Sequence, residues 1–132
     1  MLLTRASEYA LLSLDTIRKA DKPIGAVFLA NKLNIPKSFL AKIMQSLAKE
    51  GILESRKGAH GGFLLAKELD EITLYSVIVA AEGKPPAVLD CTQYADSCPN
   101  GSIGTCTISP FLHKFQNKID NFLIHLTLKD IL

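Results

Sequence analysis

The stretch from Lys32 to Lys67, KLNIPKSFLAKIMQSLAKEGILESRKGAHGGFLLAK, constrains the fold more than any other part of the chain. "NIP" at 34–36 is a turn, and Pro36 suits a helix start because its missing N–H would be unpaired there. A helix over 37–50 then buries Phe39, Leu40, Ile43, Met44 and Leu47 at steps of three and four, and Gly51 stops it. "ILES" and "GFLLA" read as short strands around the glycine-rich tip "RKGAHGG", which predicts a hairpin with a basic turn. Upstream, a short helix over 26–33 uses Val27, Leu29, Ala30 and Leu33 as its apolar positions. It follows a first helix over 5–20, carried by Ala6, Tyr9, Ala10, Leu14 and Ile17 with Thr4 as N-cap. A short helix, a tight turn, a longer helix and an immediate basic hairpin make a winged helix-turn-helix.

Downstream, "ITLYSVIVAAE" at 72–82 is apolar nearly all round and predicts a buried helix closed by Gly83. Pro85 and Pro86 make the next segment an extended linker. A last helix over 108–126 carries a stripe of Ile108, Phe111 or Leu112, Phe115, Ile119, Phe122 and Leu126. So long a stripe exceeds what one small core needs and predicts a coiled-coil-like dimer seam; the alternative is a helix packed only on its own subunit. The expected fold is mainly α: a winged helix-turn-helix with a small β-hairpin wing over 1–83, a linker and cysteine loop over 84–107, and a dimerisation helix over 108–132.

Charge separates the two halves. Residues 1–67 carry a net +6 and residues 68–132 a net −4, which together give the chain's +2. No acid lies between Asp21 and Glu50, while Lys22, Lys32, Lys37, Lys42 and Lys49 fall in that window. A basic half points to an anionic partner, nucleic acid first, although lysines also simply solvate helix faces. A recognition helix enters the major groove by its N-terminal part. Here Lys37, Ser38 and Lys42 project opposite the apolar stripe and reach the groove or its phosphates, with Gln45 a candidate for adenine readout. Arg56, Lys57 and His60 of the wing would lie against the backbone or the minor groove. A module of this size reads DNA best in pairs, so a homodimer on a palindromic double-stranded operator is expected. No run of about 20 apolar residues suits a membrane span, and the first residues lack a basic leader pattern, so a cytoplasmic protein is expected.

All three cysteines, Cys91, Cys98 and Cys106, lie in one loop, separated by six and then seven residues. Structural zinc sites favour pairs two to four residues apart, which are missing here. Iron–sulfur clusters accept wider loops, and Asp90, Asp96, Asn100, Gly101 and Gly104 make a loop able to wrap an inorganic core. Three thiolates leave one position for a different donor. Plain loop thiols or a thiol switch are the alternatives. An electron carrier fits poorly with a basic helix-turn-helix, and no nucleophile–base pair, phosphate cradle or convergent carboxylate set suggests an enzyme.

With "LTRASEYAL", "PKSFLAKIMQSLAKEGILESRKGAHGGFLLAK" and three cysteines before a long terminal helix, the whole chain resembles the IscR/NsrR type of bacterial winged-helix transcriptional regulators. The resemblance implies a homodimeric operator-binding regulator, in many members a repressor, with an iron–sulfur cluster (2Fe–2S or 4Fe–4S) sensing redox state, nitric oxide or cluster supply. It maps the cluster thiolates onto Cys91, Cys98 and Cys106, at a longer spacing than the commoner one. Some members take a fourth ligand from a histidine three residues after the last cysteine; here that position is Ser109. Others use an acidic residue of the partner's first helix, which maps onto Glu8, the expected ligand, with His113 as runner-up. A cluster-free regulator of the same fold, controlled by its thiols or by a partner protein, is the alternative.

Overall fold

The computed structural model describes residues 3–93, 98–102 and 104–132, without the side chains of Asp90 and Gln93. Helix α1 (Arg5–Arg18) is capped by Thr4, whose hydroxyl accepts from the Ala6 N–H. Pro23 and Gly25 break the chain before α2 (Ala26–Leu33), and Asn34 in the left-handed conformation (φ 55°) turns it into α3 (Lys37–Lys49). Strands β1 (Leu53–Arg56) and β2 (Gly62–Leu65) pair antiparallel, with Leu53 opposite Leu65 and Arg56 opposite Gly62. A single 3-10 turn (Leu69–Glu71) leads to α4 (Leu74–Glu82), which Gly83 ends. After the linker come the short α5 (Asp90–Gln93), the long α6 (Ser109–His125) and a last turn of helix, α7 (Leu128–Ile131).

The core gathers the apolar faces of α1 to α4: Ala10, Leu14, Leu29, Leu40, Met44, Leu47 and Val77 are buried together with Ile52, Leu53 and Ile72. The spacing of these residues, three and four apart on each helix, is what turns them all inward. The wing is pinned along the outer edge of β2 by an extra bridge, in which Ile24 and Phe63 exchange backbone hydrogen bonds of 3.1 and 2.8 Å.

Three differences from the sequence-based expectation have physical causes. Phe39 lies against the edge of Tyr9, with ring centroids 5.7 Å apart, and stays 40% exposed rather than buried. Val27 is exposed beside Phe28, because only Leu29 and Ala30 of α2 are buried in the core. The end of the chain does not continue as a free helix. Leu126 accepts from the Leu74 N–H at 2.8 Å, the Leu128 N–H donates to Ile72 at 2.9 Å, and the Leu128 side chain is fully buried in the main core. A capping box between Thr127 and Asp130 starts α7 there.

Helix α6 has two apolar sides. Leu123, with Ile119 and Leu126, packs on Leu74 and Ile78 of α4. Of the pair Phe111 or Leu112, it is Leu112 that is buried. Ile108, Phe111, Phe115 and Phe122 face outward, with Phe111 and Phe122 63% and 61% exposed and the rings of Phe111 and Phe115 stacked 5.9 Å apart. Among the described residues no helix is long and apolar enough to cross a membrane.

Candidate nucleic-acid interface and cysteine pocket

Helix α3 turns its two faces apart. Leu40, Ile43, Met44 and Leu47 go into the core, and Lys37, Ser38, Lys42 and Gln45 are all exposed. Pro36 stands at its N-cap with no side-chain capping bond, and Pro36, Lys37 and Ser38 are all exposed. The Ile52 N–H donates to Leu47 at 3.0 Å, which ties β1, and hence the hairpin, to the end of α3. Arg56, Lys57 and His60 are exposed on that wing. Arg56 pairs with Glu54 at 3.3 Å, but both side chains are more than half exposed, so the pair is easily exchanged for a phosphate.

Two aromatic rings flank this basic surface without having been expected there. Phe39 is 40% exposed against Tyr9, and Phe28 is 54% exposed with the Lys32 ammonium 5.8 Å from its ring centre. The spacing of Phe39 reads as core, and Phe28 is not among the apolar positions expected of α2; a signal for it is that α2 carries more apolar residues than its eight positions bury.

The cysteine loop is built from successive turns: the Gly101 N–H donates to Cys98 at 3.1 Å, Thr105 to Ser102 at 3.1 Å, and Ser109 to Cys106 at 3.4 Å. These fold Cys91, Cys98 and Cys106 around a cavity of about 230 Å³, which Ser102, Gly104, Ser109 and His113 also line. All three thiols are free and half-buried. The Ser102 N–H points at the Cys98 sulfur from 3.2 Å, the kind of contact that cluster-ligating sulfurs receive. Asp96, expected in this loop, lies outside the described residues, as does the side chain of Asp90.

Among the described residues no three His, Cys, Asp or Glu side chains converge as ligands of one metal ion would. A cluster has a different requirement, since each of its irons takes its own ligand and the donors stand further apart. Three thiols and an imidazole around one cavity therefore fit a cluster better than a lone ion.

Ser109 faces the His113 ring, its hydroxyl 3.3 Å from Nδ1. The same Nδ1 lies 2.8 Å from the Ser109 carbonyl, which can only accept, so in the neutral ring Nδ1 carries the proton and Nε2 keeps its lone pair. Glu8 is on the first turn of α1, about half-exposed and paired with Arg5, whose guanidinium is raised above its ordinary value chiefly by that hydrogen bond. Glu8 does not line the cavity. Near it, Glu82 at the end of α4 accepts hydrogen bonds from Thr4 and, at 2.8 Å, from the buried Ser7.

Over residues 3–132 the chain matches the profile of one protein family, described as Rrf2, iron-dependent transcriptional regulator. It is 32% identical over 127 residues to a predicted helix-turn-helix-type transcriptional regulator of Lactococcus lactis, covering 95% of this chain and 81% of that one. With the helix-turn-helix-type transcriptional regulator IscR of Yersinia pseudotuberculosis it shares 27% identity over 133 residues, 99% of this chain and 79% of that one. Among solved structures, CymR, the global cysteine regulator of B. subtilis, superposes with a TM-score of 0.71 at 22% identity, covering 99% of this chain and 95% of that one. IscR of T. potens gives 0.69 at 20% identity, covering 99% and 85%. These two structures speak to the fold alone.

Proposed function

We propose, from the premise that this chain belongs to the Rrf2 family of DNA-binding transcriptional regulators and is no enzyme, that it binds a palindromic operator as a homodimer under the control of an iron–sulfur cluster held in its cysteine loop. The observation that carries the reading is the single cavity lined by all three thiols and His113. Cys91, Cys98 and Cys106 are the thiolate ligands. His113 is the fourth donor available within the same protomer, with Nε2 free to bind because Nδ1–H is engaged by Ser109. Glu8 does not line the cavity of its own protomer, so its part in the site falls to a second copy, after release from Arg5. When bound, a cluster supplies a centre that oxidants and nitric oxide attack and iron shortage removes.

The chain's own residues supply the connection to DNA. The loop borders α6, α6 packs on α4 through Leu123 and Ile78, and the other side of α4 packs into the core with α3. Glu82 ties the end of α4 to Thr4 and Ser7 at the start of α1. Occupancy of the loop changes operator affinity only by its differential stability in two dimer arrangements, typically 1–3 kcal/mol, or about 5–150-fold. Lys37, Ser38, Lys42 and Gln45 enter the major groove, while Arg56, Lys57 and His60 hold the backbone. The outward stripe of Ile108, Phe111, Phe115 and Phe122 is the dimer seam.

A second reading is a cluster-free regulator acting through its thiols. It is favoured by three thiols that are free, half-buried and gathered on one cavity. Anaerobically purified protein separates the two readings. Visible absorption that disappears in Cys98→Ala supports the cluster, and a colourless protein that stays colourless after reconstitution with iron and sulfide supports the thiol reading. A cluster that survives Glu8→Ala but is lost in His113→Ala identifies the fourth donor as His113; the reverse result returns it to Glu8.

A further inference from the structure

We infer that Gln116 is the positioning residue of the cysteine pocket: its side-chain amide clamps the limb of chain that delivers Cys91. What the pocket holds rests on the reading above, but the clamp is a property of the bare polypeptide.

Gln116 lies near the middle of α6 and is 7% exposed. Burying an amide is costly unless its two donors and its carbonyl are all engaged. Here they are. Oε1 accepts the Val88 N–H at 2.7 Å and lies 2.9 Å from the Thr92 hydroxyl; Nε2 donates to the Pro86 carbonyl at 3.0 Å and to Asp120 Oδ1 at 2.8 Å. The orientation of the amide is not free to reverse, because a backbone N–H can only donate and a carbonyl can only accept. The Thr92 hydroxyl is also 2.6 Å from the Leu89 carbonyl, so its one proton is shared between two acceptors.

Three of the four contacts land on residues 86–92, the segment that ends beside Cys91. Pro86 has no N–H to donate, and Gln116 of α6 supplies this segment with hydrogen bonds at Pro86, Val88 and Thr92. The fourth contact, to Asp120 one turn on, holds the Gln116 side chain in its rotamer. No other residue type repeats this set. A carboxylate cannot donate to Pro86, an ammonium cannot accept from Val88, and asparagine is one methylene short. His113, on the cavity wall, sits one turn earlier on the same helix. Gln116 thus holds the first thiol of the loop in register with the helix that carries the imidazole and the outward phenylalanine stripe.

The test uses the full chain in apo form, so it does not depend on a cluster. In Gln116→Leu, which keeps the volume and removes the polarity, hydrogen exchange at the Val88 amide should rise about tenfold or more, as loss of a buried hydrogen bond allows. Alkylation of Cys91 should speed up relative to Cys98 and Cys106 while helical circular dichroism is retained. Gln116→Glu keeps both acceptances and loses both donations, so it should fall between the two; it also serves if the leucine variant fails to fold. Reconstituted wild type and variants should differ in visible circular dichroism and in the rate of cluster loss. Unchanged Val88 exchange together with unchanged Cys91 selectivity overturns the clamp. A wild type that never assembles a cluster, with the exchange and alkylation changes still seen in the variants, overturns the cluster reading and leaves the clamp standing.

Discussion

Replacing Gly62 with alanine should separate steric clash from backbone strain in the wing. Gly62 sits at φ +143°, and a Cβ there would fall 2.6 Å from the Ile24 carbonyl carbon, 2.7 Å from its oxygen and 2.8 Å from the Gly25 nitrogen. These are main-chain atoms of the bridge that pins the wing, so nothing can rotate aside. Gly58, at the tip, has φ +105° with nothing within 4 Å of a Cβ. Gly58→Ala therefore carries backbone strain alone, about 1–2 kcal/mol. Gly62→Ala adds the two Ile24–Phe63 hydrogen bonds, about 1 kcal/mol each, because Ile24 must move away. The expected loss is about 3–4 kcal/mol, a large share of the roughly 5–15 kcal/mol typical of a domain. Urea unfolding of both variants, with midpoints and slopes compared, measures the difference. In DNA binding below the midpoint, the displaced wing should cost the Arg56 and Lys57 phosphate contacts and flatten the salt dependence by about one to two units. If Gly62→Ala proves no more destabilising than Gly58→Ala, the bridge to Ile24 does not hold the wing and the reasoning fails.

Lys42→Ala should weaken binding to all operators about equally and reduce the salt slope by roughly one unit; an unaltered slope removes Lys42 from the phosphate contacts. Phe122, 61% exposed, leaves about 120 Å² of ring surface in water, worth about 3 kcal/mol per protomer if a seam covers it. Phe122→Glu should accordingly raise the dimer dissociation constant at least a hundredfold in sedimentation equilibrium, and an unchanged constant moves the seam elsewhere. Asp130 is held below the ordinary carboxylate range, chiefly by the Thr127 backbone N–H and then by its hydroxyl. A lowered folded-state value means its stabilisation is complete above the unfolded pKa of about 3.9 and is lost as pH falls through the folded value. As pH falls below about 4, stability should therefore decline more steeply in wild type than in Asp130→Asn; parallel pH profiles contradict the capping-box role.

The recognition unit was readable because punctuation and periodicity agree there. Gly25, Asn34 and Pro36 bound α2 and α3, and the 3.6-residue repeat selects Leu40, Ile43, Met44 and Leu47. Phe39 obeys the same repeat yet emerges beside Tyr9, because periodicity names a face and not which partner fills it. Helix α7 escaped notice since four residues carry no period, although "TLKD" is a legible capping signature. Gln116 is the instructive omission. A polar residue in the row Leu112, Gln116, Ile119, Leu123 marks an inward amide with work to do, but its partners at Pro86 and Val88 lie about thirty residues away and only the fold brings them together.

The anchoring of Leu128 gives α6 the mechanics of a lever. Its C-terminal end is nailed to the body by the Ile72–Leu128 and Leu74–Leu126 bonds, while its N-terminal end borders the cysteine loop. At 1.5 Å per residue, 17 residues span about 25 Å. By that length alone, a swing of only about 5° around the fulcrum would displace the loop end by roughly 2 Å, and a dilation of the loop would reach α4 as a rotation.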